Sequence, residues 1–327
     1  MMNQTSLSDI EYSNRKKKTR REIFLETMDA IIPWGRLCAL IEPHYYEGKV
    51  GRPPLGIEIM LRMYLLQIWF SLSDELTEDG ILDSRAMRDF MGINFLERQA
   101  PDSTTLMKFR HLLEKHELQK KIQAEILLLL EESGLIMHGG TIVDATIIKA
   151  PSSTKNSTGE RDPEMKSTKK GNTYYFGMKA HMGVDAGSGA VTSTSYTSAN
   201  EHDITQAHNN YRDDDTVRYG DAAFIGVEKR PEIKEMDEGK EVEYRTNQKR
   251  KSIKETHSYP INWERSIEAC ISAIRAKVEY PFYIVKRIFG IDRTIYRGIK
   301  KNGNRLDMAF ASANLYMFRH RLMPSPT

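Results

Sequence analysis

Two cysteines, Cys38 and Cys270, in 327 residues leave no material for a disulfide framework or a zinc knuckle. Each lies in an apolar helical pattern, where a small buried side chain is the expected role. Long hydrophobic runs are also missing. The longest apolar stretch, MLRMYLLQIWF from Met60 to Phe70, is interrupted by Arg62 and Gln67 and falls short of a membrane span. The cations near the N-terminus are not followed by an apolar segment of the signal-peptide type, so a cytoplasmic protein is expected. The sequence holds no GxxxxGK[ST] phosphate loop, no HExxH and no GxSxG, which removes ATP-driven chemistry and the zincin and nucleophile-elbow hydrolases. Excess charge of one sign is scarce as well: the net charge is +3, so binding to a polyanion must rest on local clusters of cations.

What is present is a chain with 39% hydrophobic and 28% charged residues, enough to bury a sizeable core and to form two domains. One cationic cluster comes early. The run NRKKKTRR, Asn14 to Arg21, gathers Arg15, Lys16, Lys17, Lys18, Arg20 and Arg21 into about two helical turns. Such runs are solvated arms whose commonest use is contact with nucleic-acid phosphates. From about Arg20 to Ser133 the apolar spacing is helical, with breaks at Gly51, Pro53 and Pro54 and capping residues at Pro101-Asp102-Ser103. The helix opening at Ser103 carries Lys108, Arg110 and His111, a set that suits a DNA groove but also suits any exposed helix face. The reading divides the chain into a basic arm at 1–22, a helical DNA-binding domain at 23–137 and a catalytic domain at 138–327.

After Gly139-Gly140 the pattern changes. TIVDATII, Thr141 to Ile148, is β-branched nearly throughout, and its alternation puts Ile142, Asp144, Thr146 and Ile148 on one face. An Asp within such a strand needs a partner or a cation. A long polar segment from Ala150 to Asn172 then reads as a loop, and strands resume in TYYFGMKAHMGVDA and AVTSTSYTSA. Asp185 belongs to the turn between these two strands, and Asn200 and Asp203 read as capping groups. The strand DTVRYGDAAF ends in a second carboxylate, Asp221, and EVEYRT is a further short strand candidate. The layout is mixed α/β.

The third carboxylate sits on a helix. Ile267, Ile271, Ile274, Val278, Phe282 and Val285 form an apolar stripe, while Arg275, Glu279 and Lys286 project from another side with Lys277 and Arg287 close by. A Glu279–Arg275 ion pair explains the acid among the bases at its simplest. Pro281 should kink the helix or restart it close to Glu279. Two strand carboxylates with a glutamate from a packed helix can instead hold two divalent metals for in-line phosphoryl displacement. Hard oxygen ligands without a Cys/His set point to Mg²⁺, with Mn²⁺ as substitute, and Arg275 and Lys286 would then grip DNA phosphates beside the scissile bond.

VDATI at Asp144, YGDAAF at Asp221 and RAKVEYPFYIVK around Glu279 resemble the DDE transposases of bacterial insertion sequences. APSSTKN, RDPEMKSTKKGN, FGMKAHMGVDA, SANEHD and VEYPFYIVKRIFG are similar, more closely, to the insertion-sequence-five family. Arg275, Glu279 and Lys286 fit that family's signature spacing. Ser272 stands where its tyrosine would be, and Ala223-Phe224 where Gly-Tyr is usual. The resemblance implies an RNase H-like mixed-sheet catalytic domain preceded by an all-helical domain. It also implies Asp144, Asp221 and Glu279 as catalytic metal ligands, double-stranded DNA as partner, action on inverted-repeat ends, a homodimeric synaptic complex and association with the nucleoid on DNA. Two rival readings are a DNA-binding protein without chemistry and a metal-dependent nuclease that does not join ends.

Overall fold

Thr19 fixes the start of the first helix, α1 (Arg20–Ile31): its hydroxyl accepts from the Glu22 N–H while the Glu22 carboxylate accepts from the Thr19 N–H, a reciprocal cap worth about 1 kcal/mol. The computed structural model describes residues 15–45, 54–93, 99–156, 159–248 and 263–324. Asn14, the expected break at Gly51 and Pro53, and the helix opening at Asn262 lie outside the described residues. The helix thus begins inside the stretch read as an arm. Arg15 pairs with Glu22 at 2.6 Å and Lys18 with Glu26 at 2.7 Å. The Arg21 guanidinium lies 5.1 Å over the Phe70 ring. Lys16, Lys17 and Arg20 are exposed.

Further helices follow: α2 (Trp34–Ile41), α3 (Ile57–Phe70), α4 (Asp74–Asp83), α5 (Arg85–Met91), α6 (Ser103–Lys115) and α7 (Leu118–Glu132). Pro33 separates α1 from α2 because it has no N–H for the preceding turn. The sequence pattern from Thr104 to Glu132 reads as one helix, but it breaks at Glu117, which takes φ +53 between α6 and α7. Of the cations on helix α6, Lys108 and His111 are exposed but Arg110 is turned inward. Arg110 is 5% exposed, donates to both Asp74 carboxylate oxygens and lies 4.8 Å over the Tyr296 ring.

The sheet begins with β1 (Thr141–Lys149), β2 (Lys166–Lys170), β3 (Thr173–Asp185) and β4 (Val191–Ser198). It is completed by β5 (Val217–Gly220) and β6 (Glu243–Thr246), with the short helix α8 (Pro231–Met236) between them. β3 runs antiparallel to β1, β2 and β4, whereas β1 to β5 and β5 to β6 are parallel. Gly140 permits the β1–β5 pairing to start: it takes φ +89, and a Cβ there would come within 2.1 Å of the Val217 carbonyl oxygen. β2 was not expected, because its five residues, KSTKK, carry no apolar alternation. Asp185 serves the β3–β4 turn as the sequence suggests, accepting from the Ser188 N–H at 2.6 Å and its hydroxyl at 2.7 Å.

One face of this sheet meets the last helix, α11 (Ile299–Leu322), which is buried along most of its length. Alternation puts Ile142, Ile148, Met178, Ala180, Met182 and Val184 on that face, in the same apolar core as Leu306, Phe310, Leu315 and the N-terminal helices. Polar contacts fix the register of helix on sheet. Asn314 brackets Val191, accepting from its N–H and donating to its carbonyl, both at 2.8 Å, and Asp307 accepts from Thr194 and Tyr196 hydroxyls. Gly303 lets Tyr196 lie against the helix, since a Cβ there would stand 2.7 Å from the ring. A smaller core on the opposite face joins Val143 to Ala207, Tyr211, Phe224, Val227 and Ile233.

Candidate active site

β1 and β5 bring two of the three candidate carboxylates together. Their register pairs Thr141 with Arg218 and Ile142 with Tyr219, and continuing it sets Asp144 abreast of Asp221, on strands about 4.8 Å apart. Asp221 follows the last residue of β5. Its carboxylate accepts from the Ala223 N–H at 2.8 Å and so caps a 3₁₀ turn, Ala222–Phe224. The local sequence explains that turn: Phe224 folds back into the smaller core over Gly220, where a Cβ would come 2.8 Å from the Phe224 Cβ. Asp144 accepts from the Ala145 N–H at 2.7 Å. Its carboxyl is raised to about 6, chiefly by burial and also by the charges of Asp221 and Asp203, against the lowering pull of the Ala145 N–H and the Arg275 guanidinium.

The helix carrying the glutamate is segmented. After α9 (Trp263–Arg275) comes a 3₁₀ turn, Ala276–Val278, which packs against β1. Then come α10 (Glu279–Tyr283) and a π-helical turn, Ile284–Ile288. Pro281 cannot donate to the Lys277 carbonyl, so the chain tightens before it and widens after it. This segmentation defeats the simple stripe. Ile271, Val278 and Val285 are buried, but Ile267 is 54% exposed and Cys270 is exposed, since the first turns of α9 reach past the sheet.

Glu279 itself is exposed, and no Arg275–Glu279 ion pair forms among the described residues. Arg275 instead donates to Asn247 Oδ1, at the end of β6, while Asn247 Nδ2 donates to Glu268 Oε2 at 2.8 Å and Ser272 Oγ at 3.2 Å. Ser272, at the position of the family tyrosine, therefore serves this network. Lys277 is turned elsewhere: its ammonium donates to the carbonyls of Ala186 and, at 2.8 Å, Gly187 in the β3–β4 turn. Lys286 donates to Thr146 Oγ1 at 2.6 Å and to the Ile147 carbonyl at 2.8 Å, on the face of β1 that carries Asp144. Its ammonium is lowered to about 8, chiefly by burial and also by the charges of Lys170 and Lys149. Arg287 is exposed.

Two members of this neighbourhood were not legible as such. Asn247 follows a short strand with no motif around it. Asp203, read as a cap, begins a 3₁₀ helix and pairs with Lys179 at 2.9 Å, near enough to add its charge to that felt by Asp144.

Among the described residues no three His, Cys, Asp or Glu side chains converge on one point that would hold a metal. The donors still suit a hard divalent cation: two carboxylates lie near enough for the charge of Asp221 to act on Asp144, which is half-buried and resists ionisation, and their hydrogen bonds leave oxygen lone pairs open.

A sheet antiparallel on one side of β1 and parallel on the other, with acids on β1 and just past β5, is the RNase H-like arrangement. Residues 137–315 match the Transposase DDE domain family, and residues 13–112 match a family described as Transposase domain (DUF772). The first match spans more than half of the chain, and the chain belongs to the Transposase DDE domain family, as an insertion-sequence transposase acting on DNA. Transposases of this family generally use divalent metal ions. No solved structure matches the chain. No described helix is long and apolar enough to cross a membrane.

Proposed function

We propose that the protein binds the terminal inverted repeats of its element and catalyses metal-dependent DNA strand cleavage and strand transfer, with Asp144, Asp221 and Glu279 as the carboxylates. The observation that supports this reading is the parallel β1–β5 pairing at Thr141–Arg218 and Ile142–Tyr219, which, continued two residues, brings Asp144 level with Asp221, whose charge acts on Asp144. These two carboxylates and Glu279, brought in by its exposed position at the start of α10, would hold Mg²⁺ or Mn²⁺. Bound there, the ions would activate the attacking oxygen and neutralise charge on the phosphate. Arg275, oriented by Asn247, and Lys286, anchored on Thr146, place cations around the carboxylates to hold the DNA backbone. Exposed Arg287, Lys16, Lys17 and Arg20 add to the phosphate-binding field, and Arg15, Lys18 and Arg21 do so where DNA outcompetes their present contacts. Lys277 is left out, since its ammonium is held by two carbonyls.

Pairing of two element ends in a homodimer accounts for an enzyme that must cut at both. The test is a strand-transfer assay with pre-cleaved ends, Mg²⁺ and a plasmid target. Joined products support the reading, and cleavage without joining would leave only the nuclease. Cleavage by an Asp221→Ala protein at the wild-type rate would overturn the carboxylate assignment.

A further inference from the structure

β3 outgrows the sheet. From Gly177 to Asp185 it pairs with β1, but from Thr173 to Phe176 its recorded ladder partner is β2 alone. Gly177 is the branch point, paired with Lys149 on β1 and with Lys166 on β2, and a Cβ there would lie 2.1 Å from the Ile148 carbonyl oxygen. Beyond it β2 and β3 form a two-stranded ribbon with almost no core beneath it. Lys166, Ser167, Lys169, Lys170, Gly171, Asn172, Thr173 and Tyr174 are all exposed. A bare two-stranded ribbon has little stability of its own in water, so an outward-facing aromatic on it needs a reason outside folding.

The ribbon carries charge of one sign on both faces: Lys169 is paired with Tyr174 and shares its face, and Lys166 and Lys170 alternate to the other. No Asp or Glu occurs between Glu164 and Asp185, whereas Lys166, Lys169 and Lys170 fall within five residues. None of the three forms an ion pair among the described residues. Tyr174 is 72% exposed, and the Lys169 ammonium lies 5.5 Å from its ring centre, so cation and aromatic face share one surface. Strand alternation puts Tyr174 and Phe176 on the face of β3 that carries Met182, the partner of Asp144. Lys170 and Lys149 also act electrostatically on Lys286, which joins the ribbon to the cations of the active site.

We propose that the β2–β3 ribbon is an arm that holds the DNA duplex within one helical turn of the scissile bond, Lys166, Lys169 and Lys170 contacting phosphates and Tyr174 packing against the sugars or bases between them. A two-stranded ribbon fits the major groove, and lysines beside an aromatic face are the usual means of holding nucleic acid without dependence on sequence. The reach follows from the strand. The eight residue steps from Met182 to Tyr174 span at most about 27 Å, or about eight base pairs, and any curvature of the ribbon shortens this.

This inference deepens the transposase reading, and its test is arranged to stand apart from cleavage. Binding of the full-length protein to a labelled duplex carrying the element's end is measured in EDTA across a salt series, so a failure of the proposed metal chemistry leaves the readout intact. Lys166→Gln, Lys169→Gln and Lys170→Gln are combined. They sit on exposed positions, and an unchanged thermal unfolding curve confirms the fold. Loss of three phosphate contacts lowers the slope of log K against log salt by about 2.7. Between 50 and 200 mM salt the wild type then loses about 40-fold more affinity than the variant. Hydroxyl-radical protection within about eight base pairs of the cut should vanish while protection further inside the end persists. Tyr174→Ala weakens binding about 5- to 10-fold and Tyr174→Phe retains it. An unchanged slope with an unchanged footprint overturns the arm, and a Tyr174→Ala protein that binds as tightly as wild type overturns the role of the aromatic.

Discussion

Asn in place of Asp144 should make the metal-free protein more stable and abolish its chemistry at once. In the folded chain burial and Asp221 hold the Asp144 carboxyl at about 6, against an ordinary value of 3.8. A raised carboxylate opposes folding wherever it is ionised in both states. The penalty is therefore complete above pH 6, shrinks as pH falls from 6 toward 4, and is gone once the unfolded chain is protonated too. A shift from 3.8 to about 6 corresponds to an upper limit of about 3 kcal/mol, and because the carboxylate keeps some access to water, about 1–3 kcal/mol is expected. The amide oxygen of the substituted side chain can still accept from the Ala145 N–H, so the change removes charge and little else. Urea unfolding in EDTA at pH 8, 6 and 4 reads this directly: the Asp144→Asn advantage should be largest at pH 8 and mostly lost at pH 4. Adding Mg²⁺ at ten times its dissociation constant should return about 1.4 kcal/mol to the wild type and nothing to the variant. A variant less stable than wild type at pH 8, or an advantage independent of pH, would refute the electrostatic account of this site.

Asp221→Ala and Glu279→Ala should each abolish cleavage while binding to the ends changes less than about threefold, as gel shifts in EDTA will report. Lys286, held at about 8, is charged below that value and neutral above it. DNA affinity should therefore drop as pH rises from 7 to 9, and Lys286→Gln should remove that component and lower the salt slope by about 0.9. Arg110→Met leaves the Asp74 carboxylate without its partner beside Tyr296, so unfolding should show a loss of about 2–4 kcal/mol with DNA affinity unchanged. A fall in affinity without a loss of stability would return Arg110 to the DNA surface.

Asp144 was legible because an Asp among β-branched residues is conspicuous, and the period-two face of β1 was visible for the same reason; Asp221 stood out only as the acid that ends a short strand. The helices were legible from apolar spacing, but not their ends. Nothing in KHELQK announces that Glu117 adopts a left-handed backbone, since the break is imposed by where α6 and α7 must pack. β2 is hidden because KSTKK has no apolar alternation, and a ribbon of lysines pairs through its backbone alone. The Arg275–Glu279 spacing was right for an ion pair, yet the proximity of β6 gives the guanidinium a better-placed acceptor in Asn247. That contact links residues 28 apart, and helical periodicity is blind to it.

The buried position of α11 also governs how the polypeptide can be divided. Phe24 on α1 lies against Trp69, Phe289 and Tyr316, and Arg305 on α11 reaches Ser71 at 2.8 Å. A fragment cut near residue 137 would strip that helix of its apolar cover on one side and leave the opposite fragment without its wall. Such a cut would bare Phe24 and Trp69 on one piece and Phe289 and Tyr316 on the other, so each piece is expected to be less stable than the intact chain, as urea unfolding of the two would report.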